Sequence, residues 1–181
     1  MIKVVIFDFD GVIVESVDIK TKAFAKLFED KGRSVMDEVT RYHLSNTGVS
    51  RFEKFKYIYK EILGEELDQK TFDGLCKRFS RLVLEDVLNA PYVDGALDFL
   101  KQNSDEYKLY VISATPQKEI EEIVFGRGIR RYFKMVYGAP AEKAKTVKNI
   151  IMNEDIKPEE AVYVGDAISD YRAARDNSVP F

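Results

Sequence analysis

The chain has 181 residues, 45% of them hydrophobic, which is enough to bury a substantial core and excludes an intrinsically disordered segment. Its 28 basic and 31 acidic side chains nearly cancel, so no global field recruits nucleic acid and anion binding must come from local clusters. No stretch reaches the roughly 20 apolar residues of a membrane span, the N-terminal apolar run is too short for a signal peptide, and a lone Cys76 allows no intrachain disulfide; a reduced, cytoplasmic protein is expected.

Residues 3 to 7 (Lys-Val-Val-Ile-Phe) form a β-branched and aromatic run closed by acids and glycine, which predicts a buried strand delivering Asp8 and Asp10 at its C-terminal end. Residues 16 to about 90 show helical periodicity with no clear strand, as in Phe24, Leu27 and Phe28, or Leu75, Phe79, Leu82 and Val83. This stretch reads as an inserted helical domain over 15–90, entered beyond Gly11 and left near Pro91. Strand-like runs return at Leu109 to Ile112, Met135 to Tyr137 and Ala161 to Val164. Between and after them lie helical stretches at Gly95 to Gln102, Gln117 to Phe125, Ala141 to Asn153 and Ile168 to Asp176. The alternation predicts an α/β core over 1–14 and 91–181, built as a doubly wound, Rossmann-like parallel sheet. Val179-Pro180-Phe181 reads as the approach to a further strand, so the sheet either ends there or continues past residue 181.

Four short segments at predicted strand ends carry chemistry. Asp8 and Asp10 are two apart, which on a strand puts both on one face. Such a pair suits one carboxylate that attacks and one that moves a proton, with a divalent cation offsetting their repulsion. Asp-Phe-Asp-Gly also opens like a calcium loop, but Val12 to Val14 and the lack of a closing glutamate do not continue that pattern. Ser113-Ala-Thr115-Pro116 places hydroxyls and backbone N–H groups where phosphate binds, or where a helix is simply capped. Lys143 opens a predicted helix and offers an ammonium to a phosphoryl group; the alternative is a solvated surface lysine. Gly165-Asp166-Ala-Ile-Ser-Asp170 sets two acids about one helical turn apart, a pairing suited to Mg²⁺, or to helix capping by Asp166.

In this order and spacing the four segments resemble the motifs of the haloacid dehalogenase-like (HAD) hydrolase superfamily over nearly the whole chain. The resemblance implies a helical cap on an α/β core. It also implies attack by Asp8 on phosphorus to give an aspartyl-phosphate, with Asp10 as general acid and base. Ser113 and Lys143 would bind phosphoryl oxygens. Mg²⁺ would be held by Asp8, the carbonyl of Asp10 and Asp166, with Asp170 a direct or outer ligand. An acid at position 10 points to phosphoryl chemistry rather than dehalogenation. The insertion resembles the cap of the β-phosphoglucomutase and phosphoglycolate phosphatase branch, where Thr47-Gly-Val-Ser-Arg51 looks like the loop whose arginine holds the distal part of the substrate. Lys20 stands where β-phosphoglucomutases tend to carry histidine. The expected activity is a Mg²⁺-dependent phosphatase acting on a small phosphorylated metabolite. Transfer within a sugar phosphate and a catalytically weak binding protein are the alternatives, and the oligomeric state is left open.

Residues 51 to 60 interleave basic and aromatic side chains like a single-strand nucleic acid platform. On a helix, however, Phe52, Phe55 and Tyr59 share a face with the charges elsewhere, which predicts amphipathic packing and no nucleic acid partner. His43, which precedes the Arg51 loop, is expected to be a hydrogen-bonded cap residue, with contact to substrate as the alternative, and Cys76 a packing residue.

Overall fold

The computed structural model describes residues 1–181. Four parallel strands form one sheet in the order β3-β2-β1-β4: β1 (Val4–Phe7), β2 (Lys108–Pro116), β3 (Met135–Ala139) and β4 (Ala161–Val164). Both faces of β1 are covered. Val5 and Phe7 join Leu109 and Val111 of β2 in one apolar cluster, and Val4 and Ile6 join Tyr110 and Ile112 in another. That is why these strands read as unbroken apolar runs, the mark of a parallel sheet covered on both sides. Helices α5 (Ala96–Asn103), α6 (Gln117–Gly126), α7 (Lys143–Glu154) and α8 (Ile168–Arg175) alternate with the strands as the periodicity predicts.

Between β1 and α5 the chain is helical throughout: α1 (Val17–Leu27), α2 (Arg33–Leu44), α3 (Arg51–Tyr57) running into a π-helical turn (Ile58–Leu63), and α4 (Gln69–Asn89). Asp68 caps α4 by accepting the Thr71 N–H at 2.9 Å, and Leu75, Phe79, Val83 and Val87 form its buried stripe at a spacing of four. The apolar cluster on this side of the sheet runs without interruption into Phe24, Phe28, Val39, Phe55 and Phe79 of the helical segment.

Helix α3 departs from the expected amphipathic pattern. Phe55 is buried as predicted, but Arg51 and Lys54 are buried too, because α4 and the α/β layer close on the face expected to meet water. Strand β4 lies at the sheet edge, and the Tyr163 N–H there donates to the Pro180 carbonyl at 2.8 Å, so the last residues run alongside it. No helix is long and apolar enough to cross a membrane.

Candidate active site

The pleat of β1 decides where its first acid goes. Val4 and Ile6 point to the side covered by Val147 of α7 and Ala173 and Ala174 of α8, and Asp8 follows with the same parity. It arrives beside Lys143, the first residue of α7, with Nζ 3.1 Å from Asp8 Oδ1. Lys143 also donates to Asp170 at 2.5 Å, and its side chain is only 9% exposed, so it is no solvated surface lysine. Asp170 is fully buried and accepts further bonds from the Tyr163 hydroxyl (2.9 Å) and the Ala167 N–H (3.1 Å). It is therefore Asp170, and not Asp166, that reaches back to the start of α8.

Asp166 remains exposed beside this group. Gly11 makes the approach possible, since a Cβ there would stand 2.5 Å from Asp166 Oδ2 and its φ of +79° lies in the left-handed region. Oxygens of Asp8, Asp166 and Asp170 all lie within 4.8 Å of one another. Burial is the main reason that the Asp8 carboxyl is pushed up to about 7; the charges of Asp170 and Asp10 add to it, against Lys143 and the Phe9 N–H. Asp166 is raised as well, by burial and then by Asp170. Three carboxylates facing one lysine leave two negative charges in excess, a donor set that fits a hard divalent cation.

Asp10 takes separate partners, because the chain has already turned after Asp8. Lys20 of α1 is ion-paired to it, Ser16 Oγ donates to Oδ1 at 2.6 Å and Thr115 Oγ1 lies 3.3 Å from Oδ2. Lys20 also donates to Thr115 at 2.7 Å. Burial alone would raise the Asp10 carboxyl, but the Lys20 charge and these hydrogen bonds hold it below the ordinary carboxylate range. Lys20 and Ser16 were missed as site residues by sequence reasoning; their spacing of one helical turn at the entry to α1 was the available signal.

The β2–β3 register breaks between Ile112 and Pro116, which frees Ser113, Ala114 and Thr115 from regular pairing at the strand tip. Neither hydroxyl caps α6. Ser113 is buried, accepts the Thr115 N–H at 3.1 Å, and lines one cavity together with Lys143.

Asp8, Asp10, Asp166 and Thr115 line a second cavity whose opposite wall is helical: Lys20, Phe24, His43, Arg51, Lys54 and Phe79. It leaves about 30 Å³ free and is partly open to solvent. Arg51 reaches this wall, but its guanidinium is engaged by Glu119 of α6, on Oε1 and at 3.0 Å on Oε2, and by Ser80 of α4 at 2.9 Å. It lies over the Phe79 ring with Cζ 4.3 Å from the centroid. His43 is not the fully hydrogen-bonded residue expected: Nδ1 contacts Lys54, while the buried Nε2 has no partner.

The sequence pattern of the haloacid dehalogenase-like hydrolases matches residues 5–181. A phosphorylated carbohydrates phosphatase of Thermotoga maritima is 26% identical, over 97% of this chain and 81% of its own length. A phosphoglycolate phosphatase of Colwellia psychrerythraea is 25% identical, over 96% and 80%. Among solved structures, the HAD hydrolase YfnB of Bacillus subtilis, described as bound to magnesium and as revealing interdomain movement, superposes with a TM-score of 0.72 at 15% identity, covering 98% of this chain and 86% of that one.

Proposed function

The chain belongs to the haloacid dehalogenase-like hydrolases and is a phosphatase, and from that premise we propose that it hydrolyses a small phosphorylated metabolite through an aspartyl-phosphate on Asp8. The observation that carries this reading is Lys143 set 3.1 Å from a buried Asp8 at a strand end while Asp170 and Tyr163 hold the group in place.

Asp8 attacks phosphorus in line, a P–O bond to the leaving alcohol breaks, and the phosphoryl group passes to the carboxylate. Asp10, positioned by Lys20, Ser16 and Thr115, gives the leaving oxygen a proton from its protonated form and then takes one from the water that hydrolyses the acyl-phosphate. Lys143 neutralises Asp8 and the incoming phosphoryl oxygens, with Ser113 and the N–H groups of the broken strand tip as further donors. Mg²⁺ is the cation this reading assigns to Asp8, the Asp10 carbonyl and Asp166, with Asp170 orienting Lys143 from outside. When bound it supplies neutralisation of phosphoryl charge.

Residues 15–90 serve as a cap over a core of 1–14 and 91–181, because they supply the wall opposite Asp8 and Asp10 and leave about 30 Å³ between, so that substrate binding moves this segment. Arg51 shapes the specificity wall of that cap. The reading includes a cytoplasmic setting, as the single cysteine suggests.

The test is phosphate release from a panel of phosphomonoesters with Mg²⁺, with EDTA, and with Asp8→Asn, together with hydroxylamine trapping of the acyl-phosphate. Metal-dependent release and a trappable intermediate, both lost in Asp8→Asn, are expected. Undiminished release by Asp8→Asn would overturn the mechanism.

A further inference from the structure

Lys54 is 1% exposed, lines the cavity that holds Asp8 and Asp10, and makes no ion pair. Its ammonium meets only His43, with Nδ1 at 2.8 Å and the carbonyl oxygen at 3.5 Å, and lies 5.3 Å from the centroid of the Phe24 ring. A buried charge left in this state is costly unless something of opposite sign joins it. Burial, with the nearby Lys20 charge second, lowers the lysine to about 7.

His43 has the complementary defect. Its Nδ1 accepts from the ammonium, which places the imidazole proton on Nε2, and that buried atom has no acceptor. Burial, then Lys54, lowers His43 to about 3, so the ring is neutral and adds a donor without a second charge. The wall thus presents one cation without an acid partner, with an unmatched ammonium N–H and an unmatched imidazole N–H.

No other acid lining the cavity bonds to Lys54 or His43: Asp166 stands with Asp8 and Asp170 in the cluster that fits a cation. Asp10 is taken by Lys20, Ser16 and Thr115, and Asp8 by Lys143. The other two cations of that wall are already matched, Lys20 by Asp10 and Arg51 by Glu119 and Ser80. The acceptor must arrive with the ligand.

We propose that Lys54 and His43 bind a carboxylate at the end of the substrate remote from phosphorus, so that the substrate is a short phosphorylated hydroxy acid; this rests on the phosphatase reading above. A carboxylate has the single negative charge that one ammonium matches and two oxygens for the two free donors. A second phosphate would bring about two charges to one cation.

The experiment compares kcat/KM for phosphoglycolate, ethylene glycol monophosphate and ethylene glycol bisphosphate in the wild type and in Lys54→Met. A hydrogen bond to a charged group corresponds to about 10- to 100-fold, which is the expected wild-type preference for the carboxylate over the neutral hydroxyl. Lys54→Met is expected to bring that ratio close to one. An equal ratio in both proteins, or a preference for the bisphosphate, overturns the proposal. Thermal shifts with phosphoglycolate in Asp8→Asn and in the Asp8→Asn, Lys54→Met double variant read the same subsite without turnover. Stabilisation of the first and not of the second is expected even if the hydrolytic mechanism fails, and no difference between them refutes the carboxylate subsite alone.

Discussion

Replacing Glu119 by leucine removes the carboxylate that Arg51 shares with Ser80, while the guanidinium stays buried between α3, α4 and α6. Both side chains of the pair are nearly inaccessible, at 4% for Arg51 and 9% for Glu119, so water cannot take the place of the lost acid. Breaking such a pair from one side costs about 3–5 kcal/mol, because a desolvated charge is left unmatched. At about 2–4 °C per kcal/mol for a chain of this size, the melting temperature of Glu119→Leu should fall by roughly 6–20 °C. The double variant Arg51→Met, Glu119→Leu removes the charge as well as its partner. It should recover most of that loss, since a buried ion pair and a well-packed apolar pair of similar volume are close in energy. Thermal melts and urea titrations of the wild type, both single variants and the double variant give the coupling energy directly. If Glu119→Leu and the double variant melt together, within about 1 kcal/mol, Arg51 and Glu119 are not energetically linked and the account of this bridge is wrong.

Two other measurements bear on the site. Gly11→Ala forces a Cβ into Asp166 Oδ2 at 2.5 Å from a backbone at φ +79°, so it should cost more than about 1 kcal/mol of stability and weaken Mg²⁺ binding measured by calorimetry; unchanged metal affinity would contradict the placement of Asp166. His43 has a folded value of about 3, below its ordinary 6.5, so between these limits the unfolded chain binds the extra proton and stability falls as pH falls. The slope contributed is at most about 1.4 kcal/mol per pH unit. Urea titrations at pH 6 and pH 4 should therefore show a smaller loss in His43→Gln than in the wild type, and equal losses would refute a buried neutral ring.

The sheet and the acid cluster were legible in the sequence for one physical reason. Strands covered on both faces need unbroken apolar runs, and a run that ends abruptly in acids, as at Phe7-Asp8 or Val164-Gly165-Asp166, marks both the strand tip and the site. Periodicity placed α4 and its stripe equally well, because that helix buries one face only. It failed at α3, where the charged residues, Lys54 among them, were expected off the buried face and Arg51 was expected to reach substrate or water. Arg51 is buried against Glu119 on α6, 68 positions away, and Lys54 against His43 on the preceding helix α2, 11 positions away; helical periodicity within α3 encodes neither contact. Lys20 stood out only as a departure from the histidine of related mutases; its role became visible once the structure laid it against Asp10.

A cavity of about 30 Å³ between the helical segment and the sheet has a consequence for any affinity measured on this protein. If substrate needs a more open arrangement of residues 15–90 than the one described, ligands are selected by that open population. An observed dissociation constant is then the intrinsic one divided by the fraction of molecules open, and a substitution that changes that fraction alters the apparent affinity for all ligands alike without touching any of them. Loosening the Arg51–Glu119 bridge from its α6 end, as in Glu119→Leu, changes that fraction and also frees the Arg51 guanidinium on the cavity wall. It should tighten apparent binding across an entire series, whereas a change at Lys54 should reorder the series.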